Sequence, residues 1–338
     1  MQVLAEVTRG KAVESFHHGF LYIEDGKGAE VLSIGDPEFK TFIRSAAKPF
    51  QALPFILNGG TERFGFTEDE IALSCASHAG EKIHVKTAER MLSKLGLAES
   101  SLKCGTHFPF DERSSAEMYR TGEKPSQLHN NCSGKHATML GQALMIGAEI
   151  SGYLDPAHPV QQAILGIVAT FTDDRSDDIE IATDGCSAPN YLLSMRSMAR
   201  SYVRLVSPPE SFTDELKHAC GIITQAMYSN PLLVAGTGRL DTVLMASATD
   251  NLLISKIGAE GVWLCGIAPC ERWPQGLGIS MKIADGDDRR ARSVVAIELL
   301  KALGMIEDSA LCEMSPAPVS TRFGQRVGEV RSILRFSF

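Results

Sequence analysis

Three stretches of the chain combine residue types that can move protons or bind charged groups. The first is Arg44-Ser45-Ala46-Ala47-Lys48, which follows a strand-like run and opens a helix-like one. In a helix, Ser45 and Lys48 would lie one turn apart on one face. A serine hydroxyl attacks a carbonyl only when a base takes its proton. A lysine can be that base if burial or another cation destabilises its ammonium. The same spacing also suits a capping serine beside a solvated lysine. Pro49 disfavours α geometry at Lys48, so a tightened first turn is expected there. The second stretch, Ser74-Cys75-Ala76-Ser77-His78-Ala79-Gly80-Glu81, offers hydroxyls and an imidazole among small residues; an ordinary polar helix end would read the same way. The third is Asn130-Asn131-Cys132-Ser133-Gly134-Lys135-His136, ahead of a strongly helical run. A helix start of this kind favours anions and lowers a thiol's pKa. Its Ser-Gly-Lys is not a phosphate loop, because His129 stands near where the motif needs its upstream glycine.

Two more stretches add to these. Asp184-Gly185-Cys186-Ser187-Ala188-Pro189-Asn190 reads as a turn into a helix. Cys132, His136 and Cys186 are donors that suit zinc with one position left open. Unrelated buried thiols fit the spacing equally, since 54 residues separate the two cysteines. Lys256-Ile257-Gly258-Ala259-Glu260-Gly261 sits between two strand-like runs, and a lysine at a strand end before x-Gly is an element of serine–lysine hydrolases, as is S-x-x-K. A glycine-rich turn with an exposed lysine is the alternative.

The elements that must position these residues follow from periodicity. Val3–Thr8, Gly19–Glu24 and Ala29–Ile34 alternate or are β-rich, with turn signals at Asp25-Gly26 and Gly35-Asp36-Pro37. From Ala46 the period becomes helical, over 67–77, 82–96, 113–120, 133–149 and 158–172, with a capping box from Thr67 to Glu70. Residues 173–190 are polar and acidic and read as a solvated loop. Helices are expected at 188–206, 211–228 and 287–303. Strands are expected at Leu252–Lys256, Val262–Ile267, Gly278–Ala284 and 326–335. A β–α–β order of this kind implies a sheet assembled from both chain ends around a helical insertion.

Composition narrows the function classes. With 33 Lys plus Arg and 41 Asp plus Glu, the 338-residue chain carries a formal charge of −8. That argues against nucleic acid or an anionic membrane as the main partner. No apolar run approaches the ~20 residues of a membrane helix. Glu6, Arg9 and Lys11 interrupt the start, unlike a secretory signal. The length implies one large domain or two lobes. Eight cysteines without a CxxC pair indicate reduced thiols in the cytoplasm, most of them core residues.

In order along the chain, the motifs resemble one family. They are Arg9-Gly10 with Val13-Glu14-Ser15 and His17; Arg44 to Gln51; Ser74 to His78; Asn130 to His136; Asp184-Gly185-Cys186; and Lys256 to Gly261. The set is similar to the bacterial L-asparaginase family typified by the inducible, thermolabile rhizobial enzyme, from about residue 3 to the C-terminus. Only Ser315–Gln325 departs from the pattern. The resemblance implies an α/β (α+β) fold like that of serine β-lactamases and glutaminases: a mixed sheet from both chain ends, flanked by helices, with an inserted helical lobe. Residues 1–338 would form one domain, with sub-lobes 1–60 plus 190–338 and 61–189. It implies two serine–lysine pairs, Ser45 with Lys48 and Ser77 with Lys256. It also implies one zinc per subunit on Cys132, Lys135 and Cys186, assisting substrate binding. Arg44, His136 and Asp184 would contact substrate, and the enzyme would be a homodimer. Cys75, beside the second serine, becomes a candidate pocket residue, and the other five cysteines keep their reading as core thiols. The implied activity is hydrolysis of L-asparagine to L-aspartate and ammonia. A glutaminase or penicillin-recognising hydrolase on the same scaffold, and a catalytically silent zinc or amino-acid binding protein, are the rival readings.

Overall fold

The alternating segments at the amino terminus form the strands Gln2–Arg9, Ala12–Asp25 and Glu30–Ile34. The computed structural model describes residues 1–249, 251–307, 309, 311–336 and 338. The chain divides into two units. One comprises Met1–Ala46, Leu193–Ser207 and Val243–Phe338, and the other Ala47–Leu192 and Pro208–Thr242.

The first unit is built on an eight-stranded sheet. Its order is Ala317–Ser320, Arg326–Ser332, Gln2–Arg9, Ala12–Asp25, Leu277–Ile283, Val262–Ile267 and Leu253–Ile257, with Glu30–Ile34 also paired to Ala12–Asp25. Both chain ends therefore contribute, as expected. Each of these pairings is antiparallel, so the sheet is not mixed. Short turns such as Gly10-Lys11 and Gly258–Gly261 can only reverse the chain, whereas a parallel pair needs a long crossover. The strands Leu253–Ile257, Val262–Ile267 and Leu277–Ile283 are buried at every position, which explains their nearly continuous apolar sequence. The helices Met195–Val206 and Ala291–Ala302 pack on this sheet. Gly266 and Gly278 face each other across neighbouring strands. A Cβ at Gly278 would lie 1.9 Å from the Ala199 carbonyl oxygen, and one at Gly266 would lie 2.7 Å from Val206. Only a side-chain-free strip lets the helix approach this closely.

The helix expected at 188–206 begins later. Pro189–Ser194 is a strand, and Ser194 caps the helix Met195–Val206 by accepting from Ser197 N–H at 3.0 Å. Pro189–Leu192 pairs with Glu180–Thr183, so the acidic segment is not wholly a loop. A partner strand is available to Pro189–Leu192, and Ser194 supplies the cap where the helix starts. Two of the expected core thiols are not buried: Cys270 is half-buried in a loop and Cys312 is exposed in a turn of the sheet unit. Among the described residues no disulfide forms.

The second unit is helical around Ser133–Met145. Residues 133–143 of that helix are all buried, against Lys48–Leu57, Glu68–Ser74 and Lys82–Lys94. Gly134 permits the closest approach, since a Cβ there would lie 2.2 Å from the Leu73 carbonyl oxygen. Asp214–Ser229 packs on Lys48–Leu57 and Glu68–Ser74. Residues 47–60 and 208–242 thus belong to the helical unit, so its borders fall elsewhere than at 60 and 190. Among the described residues, no helix is long and apolar enough to cross a membrane.

Candidate active site

The Ser45 segment begins with a 3-10 turn, Arg44–Ala47, which runs directly into the helix Lys48–Leu57. Pro49 sits in the first turn of that helix, where a missing N–H costs nothing. Arg44 has φ +54°, a left-handed conformation that a non-glycine residue holds only at a cost of order 1–3 kcal/mol. Arg44 and Ser45 are half-buried. Ala46 is fixed from within the sheet unit by the Tyr202 hydroxyl, which donates to its carbonyl at 2.9 Å.

Lys48 is fully buried. Its Nζ lies 2.5 Å from the Ala76 carbonyl, 2.9 Å from Ser77 Oγ and 3.1 Å from the Asn131 carbonyl. Burial holds its pKa below the ordinary lysine value; the Lys135 charge acts the same way, and the Cys132 and Cys186 thiols oppose it. A neutral amine has two N–H groups and one lone pair. Here Nζ donates to two carbonyls and to Ser77 Oγ, so once Lys48 gives up its third proton the lone pair faces the serine hydroxyl. This is the arrangement a general base requires. Ser77 is buried, and its N–H donates to the Val234 carbonyl at 2.9 Å. It follows the helix Glu68–Ser74, whose start carries the expected Thr67–Glu70 capping box. The hydrogen bond from Lys48 thus runs to Ser77, a pairing that the S-x-x-K spacing alone does not suggest.

His78 has a structural role beside this pair. Its Nδ1 accepts from Gly80 N–H at 3.2 Å, so its Nε2 carries the hydrogen and donates to Ser133 Oγ at 2.9 Å. Ser133 in turn donates to the Leu128 carbonyl at 3.2 Å. Burial pushes the His78 pKa well down, which keeps the ring neutral.

The third and fourth stretches converge within the helical unit. Cys132 is the N-cap of Ser133–Met145, and Lys135 and His136 lie in its first turn. Asn130 braces this start: its Oδ1 accepts from Cys132 N–H at 2.9 Å and its Nδ2 donates to the Cys104 carbonyl at 2.8 Å. Cys186 sits at the tip of the hairpin formed by Glu180–Thr183 and Pro189–Ser194. Asp184 and Ala188 close that tip through an N–H···O bond of 2.9 Å, and Ser187 adopts φ +69°. The two thiols meet. A hydrogen bond from Cys132 pulls the Cys186 pKa far down against its burial, and Lys135 adds to the effect. Donation to Cys186, together with burial, pushes Cys132 up. Burial lowers the Lys135 pKa, but Cys186, Cys132 and Asp184 outweigh it and the net shift is upward. The resulting array is two thiols and an amine buried together, and among the described residues His136 Nε2 and the Tyr191 hydroxyl are buried without hydrogen-bond partners.

Two thiols and an amine, once deprotonated, fit a soft divalent cation such as zinc. Among the described residues, no three His, Cys, Asp or Glu side chains gather around one point. A three-ligand site here therefore needs the Lys135 nitrogen. Asp184 is half-buried at the hairpin and its charge reaches Lys135. His136 is fully buried, facing Tyr153 and Cys186. Cys75 is also fully buried.

Lys256 lies in the sheet unit, fully buried on Leu253–Ile257, with Nζ 3.0 Å from the Ile257 carbonyl. The hairpin that follows is held by side chains. Arg292 donates to the Gly258 carbonyl at 2.7 Å, Asp288 accepts from Gly261 N–H at 2.9 Å, and Lys282 donates to the Glu260 carbonyl. Asn131, Tyr153, Arg292 and Asp288 carry no spacing signal of their own. Asn131 at least falls inside a stretch whose residue types drew attention.

The L-asparaginase II family model matches residues 5–332. The chain belongs to the L-asparaginase II family, and with it to the amidohydrolases. No curated protein matches the sequence. The solved structures similar to this chain include a probable glutaminase from Bacillus subtilis complexed with 6-diazo-5-oxo-L-norleucine, at 10% identity and a TM-score of 0.44, covering 86% of this chain and 85% of that one. They also include a carbapenemase from Vibrio cholerae at 13% identity and a TM-score of 0.38, covering 86% and 95%. A β-lactamase from Sphaerobacter thermophilus matches at 10% identity and a TM-score of 0.43, covering 86% and 92%.

Proposed function

We propose that this protein hydrolyses L-asparagine to L-aspartate and ammonia through an acyl-enzyme on serine, with Lys48 as the general base. The observation that carries the reading is the fully buried Lys48 Nζ, 2.9 Å from Ser77 Oγ, in a member of the L-asparaginase II family. Ser45 is the nucleophile: it is half-buried and reachable, whereas Ser77 is enclosed. Ser45 Oγ attacks the side-chain amide carbon while its proton passes to Lys48, with the Ser77 hydroxyl as relay. Backbone amides, including that of Ser45, hold the oxyanion. The proton then moves to the leaving nitrogen, the C–N bond breaks and ammonia departs. Water adds to the ester, its proton returns through the same relay, and aspartate leaves with Ser45 restored. Lys256 supplies positive charge, Arg44 holds the substrate α-carboxylate and Asp184 its α-ammonium, the pairing an amino acid requires.

Cys132, Lys135 and Cys186 would hold one zinc ion per subunit. When bound, it would supply a fixed positive field that assists substrate binding. The chain's own residues carry the proton transfers above.

The test is ammonia release from asparagine and from glutamine by wild-type protein and Ser45→Ala, with hydroxylamine trapping to locate the acyl group. Folded Ser45→Ala with near-wild-type activity overturns the assignment. One methylene separates the two amides, a difference of about 1–3 kcal/mol in a pocket, so some glutamine turnover is compatible with the reading. Faster turnover of glutamine than of asparagine is not.

A further inference from the structure

Building on the asparagine-hydrolase reading above, we propose that Lys282 is a second cation for the substrate α-carboxylate, acting with Arg44, and that it restricts the site to free α-amino acids. Strand register brings Lys282 to the required place. Lys256 pairs with Leu264, and Leu264 with Ser280, so these three share one face of the sheet. Lys282 follows Ser280 by two residues and therefore projects from the same face as Lys256. Its partner on the next strand is Val262. The segment that carries Arg44 reaches this end of the sheet: a Cβ on Gly258 would lie 2.9 Å from the Ile43 carbonyl oxygen and 3.0 Å from Val262 Cβ. Arg44, the next residue, leaves that contact in its left-handed conformation.

Lys282 is 8% exposed. Its ammonium donates to the Glu260 carbonyl. An ammonium has three hydrogens, and among the described residues the other two have no acceptor. The carboxylates nearby are turned elsewhere. Asp288 pairs with Arg292, and Asp285 with His17 at 2.8 Å. Glu260 is exposed, and its Oε2 would lie 2.7 Å from a Cβ on Gly286. A buried cation without an ion-pair partner is costly. Burial holds the Lys282 pKa below the ordinary lysine value; Glu260 and Asp288 oppose this, and the Arg44 charge adds to it. An anion shared by the two cations relieves both the burial cost and their mutual repulsion. A carboxylate suits the task, because its two oxygens can accept from separate donors. An α-amide or a peptide bond in its place has no charge and one oxygen, so it leaves both cations uncompensated and is selected against.

The test compares ammonia release from L-asparagine with release from its α-N-methylamide, which keeps the side-chain amide and lacks the α-carboxylate. Wild type is set against Lys282→Gln, which can still donate to the Glu260 carbonyl but has no charge. KM for L-asparagine should rise about 10–100-fold in the variant, the worth of a hydrogen bond to a charged group, with kcat little changed. For the methylamide, kcat/KM should be low in wild type and much the same in the variant. Lys282→Arg should recover most of the affinity for L-asparagine. An unchanged KM for L-asparagine in folded Lys282→Gln overturns the proposal. So does an equal loss with both substrates, which would leave Lys282 as a brace for the hairpin. If Lys282→Gln does not fold, Lys282→Met takes the same measurements. If wild type releases ammonia from neither amide, the hydrolase reading fails separately, and calorimetric titration with L-aspartate decides the subsite. Weaker binding to the variant than to wild type supports it; equal binding, or none to wild type, overturns it.

Discussion

Lys48 Nζ and Ser77 Oγ lie 2.9 Å apart, and both side chains are closed off from water. The lysine's other two contacts are main-chain carbonyls, at Ala76 and Asn131. Neither is charged, and burial outweighs the Cys132 and Cys186 thiols that favour the ammonium, so the neutral amine is easier to reach than in an ordinary lysine, with a serine hydroxyl beside it.

Replacing either partner should therefore stop the same proton transfer. Lys48→Met and Ser77→Ala are each expected to lower kcat for ammonia release by about 10²–10⁴-fold, the usual worth of a positioned base. The double variant should lose little more than the worse single one, because the two residues form one relay. Full additivity of the two losses would show that they act separately.

The pH dependence has a definite sign. The base must be neutral, and burial holds Lys48 below the ordinary value of 10.5. Activity should rise with pH along a limb set below that value, and a variant with residual turnover at position 48 should lack the limb. The same shift acts on stability. Between the folded-state value and 10.5 the unfolded chain binds a proton that the native chain does not, so this group makes stability rise with pH across that window. Below the window both states are protonated, and this contribution is gone. Urea unfolding at several pH values should show a shallower slope in Lys48→Met than in wild type.

The zinc reading predicts a stoichiometry. Protein purified without added metal should carry about one zinc per chain, and Cys186→Ala and Cys132→Ala should carry almost none, since structural affinity rests on thiolates. Elemental analysis with a thiol count decides it. His136→Asn should keep its zinc on Cys132, Lys135 and Cys186; loss of the metal in that variant would make the histidine a ligand.

Much of the framework was legible because local signals and tertiary outcome agree. Thr67 and Glu70 form the capping box their spacing implies, and Asp25-Gly26 turns the chain where alternation stops. The 3-10 turn before Lys48 is the tightened start that Pro49 demands. The failures came from partners that local propensity does not reveal. Tyr191-Leu192 looks like the start of a helix until Glu180–Thr183 is there to pair with it. Nothing in Asp214–Ser229 says that it packs on Glu68–Ser74. The lysine at position 48 could be read as a base, but its actual acceptors, Ala76 and Asn131, are main-chain atoms. The contacts of the Tyr153 hydroxyl with Lys103 and His136 likewise follow no spacing in the sequence.

Gly134 offers a test of why the Cys-Ser-Gly-Lys-His stretch has its glycine. A phosphate loop would use it for backbone approach to an anion. Here it lets the helix Ser133–Met145 touch the Leu73 carbonyl, and an added Cβ would lie 2.2 Å from that oxygen. Gly134→Ala should destabilise by about 1–3 kcal/mol through overpacking, read as a lower urea midpoint at unchanged slope. It should also displace Cys132 and Lys135, lowering zinc affinity. Unchanged stability with altered phosphate affinity would contradict this account.

The last prediction concerns the hairpin after Lys256. Arg292 is 5% exposed and donates to the Gly258 carbonyl at 2.7 Å and to Asp288 Oδ1 at 2.5 Å. Asp288 accepts from Glu260 N–H at 3.2 Å and Gly261 N–H at 2.9 Å. The arginine and the aspartate thus bracket the turn from both sides. Arg292→Ala removes the side-chain donor to the Gly258 carbonyl and the charge partner of Asp288, which keeps only its two backbone donors. Asp288 is 42% exposed, so water recovers part of the loss, and about 2–3 kcal/mol of destabilisation is expected, below the range for fully buried pairs. If the bracket also sets the strand end that carries Lys256, kcat should fall while KM for asparagine changes little, and Arg292→Lys should restore stability better than kcat, because a lysine lacks the second nitrogen that donates to the Asp288 carbonyl at 3.0 Å. Equal loss of stability with unchanged kcat in the folded fraction would confine Arg292 to a structural role.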